Sequence, residues 1–112
     1  MIADRSNAEH YFWGEDCEGW HLLKSEALSV IEEKVPPGRS EKRHFHARAR
    51  QFFYILSGNA VLEIDGKKFE MTAGQSIEVP PGARHQFINQ SDEAVEFLVI
   101  SAPPTGDDRT DL

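Results

Sequence analysis

The sequence predicts an all-β sandwich or barrel, on two observations. Turn-forming clusters recur along the chain at Pro36-Pro37-Gly38, Ser57-Gly58-Asn59, Asp65-Gly66, Ala73-Gly74, Pro80-Pro81-Gly82 and Asn89-Gln90-Ser91-Asp92. Most gaps between them are under about 20 residues, which leaves little room for a packed helix and its caps. The intervening segments are short, rich in β-branched and aromatic residues, and regularly spaced, as in antiparallel β folds.

Taken in order, residues 1–19 are polar and read as a loop or short helix, ahead of a barrel over residues 20–102. Residues 28–35 (LSVIEEKV) form a strand stopped by Pro36-Pro37-Gly38. Residues 51–56 form another, and residues 60–64 and 67–71 flank Asp65-Gly66, the strongest short-range hairpin signal. Strands at 76–79, 85–88 and 95–100 complete the set, and the polar stretch 103–112 reads as a mobile tail. Two strands are apolar on both faces. Gln51, Phe53 and Ile55 share one face while Phe52, Tyr54 and Leu56 take the other, and Val95 to Ile100 behaves likewise. A small barrel buries only one face of each strand, so the second must be covered by a packed terminus, a further sheet or a second subunit. A homodimer is the expectation.

Composition narrows the function. The 112 residues carry 12 basic and 19 acidic side chains, a net charge of −7, which argues against nucleic-acid or anionic-membrane binding through bulk charge. No apolar run approaches the ~20 residues of a bilayer span. The N-terminal residues lack the positive start and apolar stretch of a secretory signal. The single Cys17 cannot form an internal disulfide and reads as a small packed thiol. A soluble cytoplasmic protein is expected.

Three of the five histidines make a pattern that could carry chemistry. His44 and His46 are two apart, so on a strand both imidazoles leave from one face, roughly 6–7 Å apart along it. Gln51 follows, and His85 arrives from a distant strand just after Pro80-Pro81-Gly82. Three imidazoles and an amide oxygen are a plausible set for a first-row transition metal. The surrounding punctuation is more specific. Gly38, five residues, His44-x-His46, four residues, Gln51, six residues and Gly58 make one motif. Gly74, five residues, Pro80-x-Gly82, two residues, His85, three residues and Asn89 make the other. These resemble the two signature motifs of the cupin superfamily, with nine fixed positions kept and Gln51 standing where the family usually has Glu.

The resemblance implies a cupin double-stranded β-helix, a small jelly-roll barrel commonly dimeric through its sheets. It implies metal ligands at His44, His46, His85 and Gln51, holding one divalent ion such as Mn, Fe, Co, Ni, Cu or Zn. With Gln in place of Glu the ion keeps its full charge, which makes it more electrophilic and less tightly held. Four protein ligands on an octahedral ion leave two adjacent positions, enough for a substrate with two neighbouring oxygens.

The expected function is therefore a small metal-dependent enzyme of dioxygenase, lyase or isomerase type acting on a small organic compound. The alternatives are a non-catalytic metal- or small-molecule-binding or sensing module, and a sugar-phosphate isomerase-like protein. Phe53, Ile55, Phe87 and Phe97 are the expected lining of the substrate pocket. The basic residues Arg39, Lys42, Arg43, Arg48 and Arg50 read mainly as solvated loop charges. No general base declares itself, although Glu41, Glu63 and Glu78 are candidates by type. Tyr11, Trp13 and Trp20 are expected to cover one end of the barrel as packing. Asn89 is expected to bridge backbone groups in a turn.

Overall fold

The computed structural model describes residues 2–112 and contains eleven β-strands. They are β1 (Glu9–Trp13), β2 (Cys17–Lys24), β3 (Ser29–Val35), β4 (His44–His46), β5 (Arg50–Ser57) and β6 (Asn59–Ile64), then β7 (Lys67–Thr72), β8 (Ser76–Val79), β9 (His85–Ile88), β10 (Val95–Ala102) and β11 (Arg109–Asp111). Six form one sheet in the order β1-β2-β3-β10-β5-β8, and five form the other in the order β11-β4-β9-β6-β7, with all pairings antiparallel. Among the described residues no helix is long and apolar enough to cross a membrane. The result is the expected all-β jelly-roll.

The core lies between the sheets, where strand alternation puts every second side chain. In β5 the buried positions are Gln51, Phe53 and Ile55, and in β10 they are Val95, Phe97, Val99 and Ser101. Phe87 stacks on Phe97 at 4.0 Å between ring centroids, and Phe53 lies about 6 Å from both. The outer face of the six-stranded sheet stays apolar and partly exposed, with Phe52 at 38%, Tyr54 at 37% and Leu56 at 41% of full exposure.

The turns follow local chemistry. Asp65 and Gly66 both take positive φ, 49° and 89°, as a two-residue hairpin between β6 and β7 requires. Gly58 has φ 87°, and a Cβ there would sit 2.6 Å from the Ala94 carbonyl oxygen, so the crossing of two chain segments admits only glycine. Asn89 bridges backbone as expected. Its amide donates to the carbonyls of Val35, Pro36 and Glu93, and its oxygen accepts from Ser91.

The two ends of the chain differ from expectation. Residues 1–19, read as a loop or short helix, instead supply β1 and the start of β2, a hairpin closed over Gly14 and Asp16 at positive φ. An edge hairpin needs little apolar alternation because only one side of it is buried, so its strand character is carried by backbone pairing. The stretch read as a mobile tail pairs as β11 with β4, although Arg109, Thr110 and Asp111 are all exposed.

Candidate metal centre

Two sheets meet at the site. His44 and His46 stand on β4, and His85 on β9 lies directly opposite His44 in register. Gln51 comes from the start of β5 in the other sheet. All four side chains are buried. The imidazole centroids lie 4.9, 4.3 and 5.8 Å apart, and the three histidines offer ligand atoms within 4.8 Å of one another. The turn that delivers His85 is tied to β4, because the Gly82 amide donates to the His46 carbonyl at 2.7 Å.

Hydrogen bonds choose which atoms face inward. His44 Nδ1 donates to the Lys42 carbonyl at 2.8 Å, and His85 Nδ1 donates to the Ala83 carbonyl at 3.0 Å. Both rings are thereby fixed with the Nε2 lone pair free, as a carbonyl accepting from the opposite nitrogen commonly does for a metal-binding imidazole. Gln51 Nε2 donates to Ser101 Oγ at 3.1 Å, which leaves Oε1 as the buried atom without a hydrogen-bond partner. Five buried side-chain polar atoms have no hydrogen-bond partner among the described residues, and three of them are His46 Nδ1, Gln51 Oε1 and His85 Nε2. Orphaned polar atoms are costly in a protein interior. Their clustering on the expected ligand set is what a bound cation would relieve, so these residues fit a divalent transition metal.

Burial holds the imidazoles neutral. It pushes His44 down to about 3 and His46 to about 4, aided by the neighbouring His85, and it lowers His85 as well. Neutral imidazole is the ligating form, so protons do not compete for these nitrogens near pH 7.

The centre opens on a cavity of about 220 Å³ lined by His44, His46, Gln51 and Phe53 on one side, and by Tyr11, Trp13, Glu33, Glu41 and Arg109 among others on the rest. An outer vestibule of about 600 Å³ shares Trp13, Glu41 and Arg109 and adds Arg39 and Lys42. Of the expected pocket residues, Phe53 lines the cavity. Ile55, Phe87 and Phe97 lie deeper in the sealed core, because alternation sets which face a side chain takes but not how far down the barrel it sits.

The cavity wall holds Glu33, which the sequence did not single out, together with Tyr11 and with Glu41, a candidate base by type. Tyr11, Gly19 and Glu33 are aligned across β1, β2 and β3. A Cβ on Gly19 would sit 2.2 Å from the Tyr11 ring, so glycine alone lets that ring cross β2. The Tyr11 hydroxyl then donates to Glu33 at 2.9 Å. Burial pushes the Glu33 carboxyl up to about 7, with the Tyr11 hydrogen bond pulling the other way. Glu41 is pushed up to about 8, by burial first and the charge of Glu33 second. Tyr11, expected as packing, is thus half of a polar pair. Glu63 and Glu78 lie elsewhere, paired with Arg43 and Arg50. Arg39 and Arg48 also face carboxylates, at 3.5 and 3.7 Å. Cys17 is fully buried, and burial lifts its thiol to about 11, so it is an unreactive core residue.

The cupin domain profile matches residues 31–101, well over half of the chain. The chain belongs to the cupin family. Among curated cupin relatives it is 32% identical over 85 residues to the oxalate-binding protein of Thermotoga maritima, covering 71% of this chain and 70% of that one. Among solved structures, KdgF from Halomonas sp. superposes with a TM-score of 0.86 at 16% identity, covering 96% of both chains. The polyketide cyclase RemF from Streptomyces resistomycificus superposes with a TM-score of 0.81 at 22% identity, covering 93% of this chain and 80% of its own. These likenesses establish the cupin fold, which an enzyme and a binding protein both use.

Proposed function

We propose that this cupin is a metal-dependent enzyme of lyase or isomerase type. It would hold one divalent ion (Mn, Fe, Co, Ni, Cu or Zn) on His44, His46, His85 and Gln51, and act on a small organic compound with two neighbouring oxygens. The observation that carries this reading is the cavity itself, whose lining includes both the neutral His/Gln cluster and the Tyr11–Glu33 pair. The ion, when bound, supplies Lewis-acid polarisation of a substrate oxygen.

The protein's own groups supply the rest. Glu33 is the group suited to take a proton from substrate and return it, because its affinity for protons sits near pH 7, where both directions are accessible. Tyr11 steadies the carboxylate and stays protonated, since burial and the charge of Glu33 raise its own affinity. Arg109 lies at the boundary between cavity and vestibule, where it pairs with Asp111 at 2.6 Å. Lyase and isomerase chemistry both take a proton from substrate and return one, which uses the Tyr11–Glu33 pair in both directions, so they are preferred over dioxygenase chemistry, the third class expected from sequence. Phe53 supplies the apolar part of the lining.

The test is elemental analysis of untagged protein purified without chelator, beside His46→Ala. Near-stoichiometric transition metal that His46→Ala loses supports the reading, and wild-type protein that refuses every added divalent ion refutes it. A second reading, a non-catalytic binder, is favoured by the function named for the Thermotoga maritima relative. Oxalate that binds the loaded protein by calorimetry, with no turnover of oxalate or of other chelating acids, would select it.

We also propose a cytoplasmic homodimer joined through the six-stranded sheet, on the strength of the acidic balance and the half-exposed Phe52, Tyr54 and Leu56. Sedimentation equilibrium checks the dimer, with Tyr54→Lys expected to give monomers.

A further inference from the structure

The loop between His46 and Gln51 joins the two sheets that carry the proposed ligands. It is not braced from within. Its backbone amides at Ala47, Arg48 and Ala49 all donate to one carboxylate, that of Asp108, at 3.1, 2.9 and 2.9 Å. Asp108 is 60 residues away in sequence from the middle of that loop, beyond the end of the family match at residue 101. Its side chain is 2% exposed, and its own amide donates to the Thr105 carbonyl. Three successive amides around a buried carboxylate form an anion nest. Burial opposes the charge of Asp108, but the amides prevail and hold its carboxyl below the usual range. Immediately after Asp108, β11 pairs Arg109 with His46, Thr110 with Phe45 and Asp111 with His44.

The proposed ligands differ in how they are held. His44 and His85 each have a local brace, the carbonyl two residues before them. His46 has no hydrogen bond at Nδ1, and Gln51 has only Ser101. Strand pairing holds His46 to β11 and Gln51 to β8 and β10, and the loop that joins these two residues takes the acceptor for its three amides from Asp108.

We infer that Asp108 is a positioning residue of the metal centre: its carboxylate, clasping the amides of residues 47–49, sets His46 and Gln51 at ligating distance from the His44–His85 pair. The C-terminal segment is on this account a working part of the site. The inference rests on the metal-centre reading above. Without the carboxylate, three buried or half-buried amides lose their acceptor and the loop must rearrange toward water.

The experiment is Co(II) and Zn(II) affinity, by competition with a chromophoric chelator, together with the Co(II) absorption spectrum. Wild type is compared with Asp108→Ala, Asp108→Asn, Asp107→Asn and Met71→Ala. Asp107 is the fully exposed neighbour of Asp108, and Met71 is a core residue remote from the loop. Asp108→Ala is expected to weaken metal binding about 10- to 100-fold and to alter the Co(II) spectrum, the range seen when groups supporting metal ligands are removed. Asp108→Asn, which keeps one acceptor oxygen, is expected to fall between, and it decides the matter alone if the alanine variant does not fold. Asp107→Asn should match wild type. Met71→Ala should lose thermal stability while keeping its affinity, which separates positioning from general weakening. Wild-type affinity and spectrum in a folded Asp108 variant overturn the inference and leave the metal centre standing. Wild-type protein that binds neither ion overturns both.

Discussion

Replacing Tyr11 by Phe removes one hydroxyl and leaves the ring that crosses Gly19, so it isolates the hydrogen bond to Glu33. That bond lowers the proton affinity of Glu33 against the larger, opposite effect of burial, which leaves the carboxyl at about 7. A hydrogen bond to a charged acceptor is worth about 1.5–3 kcal/mol, and one to a neutral acceptor about 0.5–1.5 kcal/mol. The difference, about 1–1.5 kcal/mol, is on the order of one pKa unit. Glu33 in Tyr11→Phe should therefore titrate near ~8. The sign for stability follows from linkage. The folded carboxyl binds its proton more tightly than the unfolded one, so stability falls as pH rises from the unfolded value through the folded value. In the variant that fall continues to higher pH, and the stability gap from wild type widens between pH 6 and pH 9 by about 1–1.5 kcal/mol. Side-chain carboxyl NMR titration reads the first quantity, and urea denaturation of chelator-treated protein at the two pH values reads the second. A Glu33 that titrates at the same pH in both proteins, with a gap that does not change, would sink the argument for a coupled pair.

Three further outcomes are expected. Gln51→Glu restores a negative ligand, and its Zn(II) dissociation constant, measured by chelator competition, should fall on the order of tenfold. Asn89→Ala strands three carbonyls and the two Ser91 donors, and should cost about 2–4 kcal/mol in urea denaturation while metal affinity per folded molecule holds. The metal-free protein should be most stable near pH ~6–6.5, because two sets of groups pull in opposite directions. Below that range the unfolded chain takes up protons that the buried His44, His46 and His85 resist, so stability drops toward acid. Above it the unfolded chain has already shed protons that Glu33 and Glu41 retain, so stability drops toward base until they ionise at about 7 and 8. Thermal melts across pH 4–9 check the shape.

What was legible in the sequence, and what was not, divides along physical lines. β3 and β5 to β10 were readable because turn residues bound them and alternation marks a buried face, and Asp65-Gly66 dictated its own hairpin. His44 and His46 were readable as neighbours because His-x-His places two rings on one face of a strand, whereas Gln51 and His85 were expected beside them only through the motif spacing. β1 and β11 were not: the aromatics of β1 run consecutively instead of alternating, and β11 is a polar edge strand held by backbone pairing. Tyr11 and Glu33 are 22 residues apart and meet only through strand register across Gly19, which no local spacing encodes. Gly19 itself was a signal that could have been used, as an unexplained glycine within an aromatic-rich stretch. Asp108 was hidden differently. It sits in a polar tail beside Asp107 and Asp111, and only burial and its three amide donors distinguish it from them.

The Gln at position 51 makes sense once the cavity is considered as a whole. Glu33 and Glu41 line the same cavity, and the charge of Glu33 already makes Glu41 harder to ionise. A third carboxylate at position 51 would raise the proton affinity of both and move Glu33 away from the range where it can exchange protons near neutral pH. It would also neutralise part of the charge of a bound cation, which is the charge that polarises a substrate oxygen. The amide avoids both effects while keeping an oxygen of the same reach, and its nitrogen is taken up by Ser101. Weaker retention of the ion is the consequence, and it places more of the burden of assembling the site on the surrounding protein. The clasp of Asp108 on the loop between His46 and Gln51 is where that burden falls. On the proposed reading, a neutral ligand set, an acid–base pair kept near pH 7 and a C-terminal brace would be three parts of one electrostatic arrangement.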